Sequence, residues 1–136
     1  MKKLLCGIVG IFLAHVSYAT PATVSYIIDG DTFSAMVRID DDVRISVRVR
    51  ILDIDTPEIN GECDAERKMA LRAKDRLAEL LPIGGDIELS DIKDDKYLGR
   101  IDARVKMPDG RDVSKVMLHE GLARPYDGGR RTPWCK

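Results

Sequence analysis

Three acidic segments carry the side chains best able to do chemistry. Asp29-Gly30-Asp31-Thr32 places a carboxylate just past a tight turn, where backbone geometry fixes its direction. Asp53, Asp55 and Glu58 follow a strand with a basic face, and Thr56-Pro57 separates the last two acids. Asp94-Asp95-Lys96-Tyr97 opens the segment that leads to Arg100. Carboxylates gathered in one place repel, and a hard cation is the simplest means of holding them together. Calcium takes several oxygen ligands in flexible geometry, whereas magnesium is stricter. No histidine cluster or paired-cysteine motif points to zinc, and His119 reads as a structural or exposed residue of a short helix. Each acidic segment taken alone would do no more than cap a helix or make a turn.

The elements around these segments read as short strands and helices. Val24 to Ile28 is β-prone and ends at the turn signal Asp29-Gly30. Thr32 to Ile39 follows, and Asp40-Asp41-Asp42 makes the next turn. In the third run Val43, Ile45, Val47, Val49 and Ile51 alternate with Arg44, Ser46, Arg48 and Arg50, giving one apolar and one basic face. Arg44 and Arg48 read as solvated charge. Asp64 to Leu81 predicts a helix capped by Asp64 and stopped by Pro82, with Met69, Ala73, Leu77, Leu80 and Leu81 facing the core. Ile87 and Leu89 mark a fourth strand, and Ile101, Ala103, Val105 and Met107 a fifth. Asp112 then caps a short helix ending at Gly121. The order predicts an α+β, mainly β fold: a small five-stranded OB-type barrel with two or three helices. Closing the barrel would leave so small a sheet without exposed edges.

The 136 residues suit one domain. Lys2 and Lys3, the apolar run Leu4 to Val16, and Ser17-Tyr18-Ala19 read as a signal peptide over residues 1–19. The run is shorter than the about 20 residues of a comfortable membrane span; an uncleaved anchor is the other reading. Cleavage would leave residues 20–136 as an exported monomer, periplasmic or secreted, without membrane contact. It removes two lysines and no acid, taking the formal charge from −1 to −3. Wholesale electrostatic attraction to nucleic acid is thereby excluded, and any phosphate chemistry must come from local clusters and a metal. Cys63 and Cys135 remain as an even pair in a compartment that permits disulfides, and the short Gly- and Arg-rich tail gains an anchor if they pair.

Read in order, Asp-Gly-Asp31-Thr, then Arg50-Ile-Leu-Asp-Ile-Asp55-Thr56-Pro57-Glu58, then Asp95-Lys96-Tyr97-Leu-Gly99-Arg100, then Gly121-Leu-Ala-Arg-Pro-Tyr126 resembles the thermonuclease-like (micrococcal-nuclease-like) family. The resemblance runs from about Val24 to Asp127. It implies a calcium-dependent phosphodiesterase that cuts DNA and RNA with little sequence preference. Carried over by position, it makes Asp31, Asp55 and the Thr56 carbonyl the calcium ligands, and Glu58 the group that holds or deprotonates the attacking water. Arg50 and Arg100 would grip the scissile phosphate, Lys96 and Tyr97 a neighbouring one, and Tyr126 would help form the nucleotide pocket.

Two features depart from the family pattern. Leu98 is inserted into Asp-Lys-Tyr-Gly-Arg, which turns Arg100 to the wrong face unless a bulge absorbs it. Only ten residues follow Tyr126, too few for the third helix of some relatives, so Trp134 reads as a packing anchor for the tail. Arg130 and Arg131 read equally well as phosphate contacts and as solvated charge. The competing functions are a catalytically weak OB-fold module that binds nucleic acid or a protein partner, and a purely structural or inhibitory exported protein. Loss of Arg50, Glu58 or one acid of the pair would mark the first; all are present.

Overall fold

The computed structural model describes residues 18–136. The expected signal peptide lies almost wholly outside the described residues. Strand β1 (Thr20–Ile27) pairs antiparallel with β2 (Thr32–Arg38), and β2 with β3 (Arg44–Ile51). After the two-residue strand β4 (Ile54–Asp55) comes helix α1 (Asp64–Leu80), then the hairpin β5 (Asp86–Asp94) and β6 (Arg100–Lys106). Helix α2 (Val113–His119) and the two-residue β7 (Arg124–Pro125) complete the regular structure. The strands close in the order β1-β2-β3-β6-β5, with β3 and β6 parallel and β5 returning to β1. This is a closed five-stranded barrel of the OB type carrying two helices.

Alternation explains the core. Phe33, Ala35, Val37, Val49, Ile51, Leu89, Ala103 and Val105 point inward and are buried, joined by Ala73 and Leu77 of α1 and Val113 and Met117 of α2. The apolar face of β3 is buried only at its C-terminal end. Val47 is half-buried and Ile45 is exposed because the N-terminal part of the strand overhangs the core, and Val43, just before the strand, is exposed as well. In α1 the buried positions are Glu66, Ala70, Ala73, Leu77 and Leu80, followed by Leu81, whereas Met69 is half-buried.

The start of α1 differs from the expected cap. Cys63 is the N-cap and Asp64 the first helical residue, where its charge suits the helix dipole and pairs with Arg67. No side chain caps Cys63; Glu66 instead reaches back and accepts from the Glu62 N–H at 3.3 Å. Asp112 does cap α2, accepting from the N–H groups of Ser114 (2.9 Å) and Lys115 (3.4 Å). The helix ends at His119, and Gly121 (φ 71°) turns the chain while the Leu122 N–H bonds the Met117 carbonyl.

The hairpin that takes up Leu98 does shift register: β5 carries one extra residue between Ser90 and Lys93, a bulge in which Asp91 adopts φ 51°. The Arg100 N–H bonds the Tyr97 carbonyl at 3.2 Å, and Gly99 at φ 76° supplies the left-handed residue that this turn requires. The Leu98 side chain is 99% exposed, and its carbonyl accepts from Arg48 at 3.4 Å. Beyond the turn, β6 resumes with Ala103 inward and Arg100 and Asp102 on the cleft side.

Cys63 and Cys135 form a disulfide with Cα atoms 6.1 Å apart, across a sequence separation of 72. Closing a loop of this length stabilises by about 4 kcal/mol in the chain-entropy model. No third helix follows α2 among the described residues. Nor is any helix there long and apolar enough to cross a membrane.

Candidate active site

The acidic turns converge because the barrel places the start of β2, the end of β3 and the strand β4 side by side. Asp29 accepts from the Asp31 N–H at 3.0 Å, a short side-chain turn that aims Asp31. The Ile51 N–H bonds the Asp31 carbonyl at 2.8 Å, tying this turn to the end of β3. Asp31 is buried: its Oδ1 accepts from the Thr32 hydroxyl (2.9 Å) and its Oδ2 from the Thr56 N–H (3.1 Å). Asp55 and Thr56 follow a sharp turn in which Asp53 adopts φ 71°. The short β4–β7 pairing, Asp55 opposite Arg124, fixes them, and the Tyr126 N–H bonds the Asp53 carbonyl at 2.9 Å. Periodicity gave no sign of either two-residue strand, yet together they set Asp55 and Tyr126.

Gly30 is needed for space and not for its φ. A Cβ there would meet the Ala73 Cβ at 2.7 Å and the Thr56 Oγ1 at 2.9 Å. The turn is therefore clamped between α1 and the Thr56 segment. Gly30→Ala should lower stability by about 1–3 kcal/mol through overpacking, measured by denaturant unfolding. An unchanged midpoint would show that the turn is free to shift.

Arg50 lies between the two buried acids, its Nη2 3.6 Å from Asp31 and 3.9 Å from Asp55. Its guanidinium stands 5.2 Å from the Tyr126 ring centroid. Arg100 pairs through Nε with Asp95 at 2.9 Å and lies 4.5 Å from the Tyr97 ring centroid. Burial opposes ionisation of Asp95, but the Tyr97 N–H and Arg100 prevail and hold its carboxyl at about 2. Asp102 moves the other way, raised by burial and by the neighbouring Asp95 carboxylate. Asp29 is pushed up to about 7, first by burial and then by the charge on Asp31.

A cleft of about 600 Å³ gathers Asp31, Arg50, Glu58, Lys96, Tyr97, Arg100 and Tyr126 on one wall system, with Asp55 and Thr56 buried beside it. Each of the three acidic segments thus contributes to this cleft, although Asp94 does not line it. Lys96 reaches over the Tyr97 ring, its Nζ 5.2 Å from the centroid, and both are exposed. The Tyr126 hydroxyl donates to the Gly129 carbonyl at 2.8 Å.

The tail supplies two residues whose place the sequence did not reveal. Arg131 borders the cleft, and its guanidinium is paired instead of lying free in solvent. Its Nη2 is 2.7 Å from Asp55 Oδ1 and 3.3 Å from the Thr56 carbonyl, and its Nη1 is 2.5 Å from Glu58. Trp134 does anchor the tail, under the Arg124 guanidinium 3.6 Å from its ring centroid, but its indole N–H also donates to Asp55 Oδ2 at 3.2 Å. The cysteine pair, with Cys135 in this tail and Cys63 at the start of α1, was the available signal. The pair ties the tail to the segment just after Glu58.

Among the described residues no three His, Cys, Asp or Glu side chains converge as a metal would require. What the chain offers is two buried carboxylates and a carbonyl, an all-oxygen set that suits a hard cation completed by water. Asp55 Oδ1 is buried without a well-aligned hydrogen bond, its nearest cationic neighbour being Arg131 at 2.7 Å.

A family model described as staphylococcal nuclease homologue matches residues 48–133, a span that includes Arg50, Asp55, Glu58, Arg100 and Arg131 but not Asp31. A micrococcal nuclease of Shigella flexneri is 32% identical over 107 residues, covering 74% of this chain and 55% of the relative. Uncharacterized endonucleases of Escherichia coli and Escherichia coli O157:H7 are 31% and 30% identical over 101 residues, covering 74% of this chain and 58% of each relative. The chain therefore spans a little over half the length of these curated relatives.

Proposed function

Because this chain belongs to the staphylococcal nuclease homologue family, we propose that its cleft hydrolyses the phosphodiester bonds of DNA and RNA with little sequence preference, in a calcium-dependent reaction. The observation that carries this reading is the meeting of Arg50, Arg100, Glu58 and the buried pair Asp31 and Asp55 around one cleft. Asp31, Asp55 and the Thr56 carbonyl would hold the ion. When bound, calcium would supply positive charge to the phosphate oxygens as negative charge builds there.

The chain's own groups account for the rest. Arg50 and Arg100 present guanidinium forks, the geometry that pairs bidentately with phosphate oxygens and stabilises their developing charge. Glu58, at the cleft rim, orients a water and accepts its proton as the new oxygen–phosphorus bond forms and the bond to the leaving oxygen breaks. Lys96 and Tyr97 extend the contact to a neighbouring phosphate, and Tyr126 borders the nucleotide pocket. Local charge of this kind lets a mildly acidic chain bind a polyanion, since backbone contacts supply most non-specific affinity. The disulfide supports export, with residues 1–19 as the signal and the remainder acting as a monomer.

The test is incubation of the purified protein with plasmid DNA and with single-stranded RNA in calcium. Both should be cut to short products. Intact nucleic acid that is merely retarded in a gel would identify a binding module, and nucleic acid that is neither cut nor retarded a structural protein.

A further inference from the structure

The C-terminal tail is held over the acid pair from several sides. Cys135 is bonded to Cys63, Arg124 donates to the carbonyls of Thr132 (3.3 Å) and Pro133 (3.1 Å), and the Gly129 N–H donates to Asp127 at 2.9 Å. Between these ties stands Arg131, and both of its terminal nitrogens are engaged by protein oxygens: one by Glu58, the other by Asp55 and the Thr56 carbonyl. At 2.7 Å it approaches Asp55 more closely than Arg50 does at 3.9 Å.

We infer that Arg131 is the resident counter-cation of this site, and that a divalent ion binds only by displacing its guanidinium from Asp55 and Thr56. This rests on the reading that Asp31, Asp55 and Thr56 hold the ion. Two cations cannot share the same lone pairs without repulsion, and the oxygens that Arg131 occupies are those the ion would need. The two arginines beside Asp55 are not equally enclosed. The Arg50 side chain is 17% exposed, whereas that of Arg131 is 40% exposed and can swing into solvent. The tail thus neutralises the buried acid pair in the absence of metal and sets a threshold for metal binding.

Calcium affinity of the full chain, measured calorimetrically without substrate, tests this. Arg131→Ala should bind calcium about tenfold more tightly than the unaltered protein, the order set by one charge-assisted hydrogen bond. Arg131→Lys, which keeps the charge but loses the fork, should fall between the two. Arg130→Ala removes the same charge from the neighbouring exposed residue and should change affinity by less than about twofold, since exposed charges are screened. Equal or weaker binding in Arg131→Ala, or an equal gain in both alanine variants, overturns the inference and leaves the metal reading standing. Failure of every protein to bind calcium overturns both.

Discussion

Arg50→Ala should lower turnover by roughly 10²–10³-fold, the loss expected when one preorganised donor group is removed from a charge-developing oxygen. The surroundings of Arg50 hold it in position. Its side chain is largely buried, it leaves the end of β3 between Asp31 and Asp55, and the Tyr126 ring bounds it. Its Nη2, 3.6 and 3.9 Å from those acids, makes no strong hydrogen bond to them and remains available to a phosphate, while Nη1 donates at 3.4 Å to the Ile51 carbonyl. Arg50→Lys should recover little, because an ammonium cannot reproduce the bidentate fork. Calcium affinity should not weaken in the alanine variant, since removing a cation beside two carboxylates can only favour another. Turnover within a few-fold of the unaltered protein would remove Arg50 from the reaction. A collapse of calcium binding would make it part of the scaffold.

The second large effect is expected at Glu58. Glu58→Gln should reduce turnover by roughly 10²–10⁴-fold, the range of a positioned general base, with little change in calcium affinity. Its side chain is about half exposed at 49%, and its one ion pair among the described residues is with Arg131, itself exposed. The amide keeps the shape but accepts no proton, and stability should change by less than about 0.5 kcal/mol. Single-turnover rates with saturating calcium separate the chemical step from binding. Unaltered rates would show that another group activates the water.

Much of this arrangement is legible in the sequence because local chemistry writes it there. The alternation of β3 announces its buried face at Val49 and Ile51, and the same pattern misleads at Ile45, where the strand overhangs the core, and at Val43, just before the strand. Alternation reports which residues share a face, not how far the core extends beneath them. The Asp112 cap and the Gly121 stop could be read directly, whereas Cys63 displaced Asp64 as the cap of α1. The fate of Leu98 depended on a turn around Gly99 whose backbone conformation no periodicity encodes. Strands of two residues, β4 and β7, are too short to carry a pattern at all. Hardest to foresee was the tail. The cysteine pair is visible in the sequence, but the contact of Arg131 with Thr56 spans 75 residues and follows only from where the closed loop comes to rest.

The most direct measurement is the rate of plasmid and RNA cleavage by the purified protein in calcium, in magnesium at matched concentration, and in chelator. If Asp31, Asp55 and the Thr56 carbonyl hold the ion as proposed, an all-oxygen set completed by water would favour the ion with flexible coordination over the one that demands an octahedron. Rapid cleavage in calcium, weak cleavage in magnesium and none in chelator is the expected result. Equal turnover with the two ions, or cleavage that survives chelation, would contradict it.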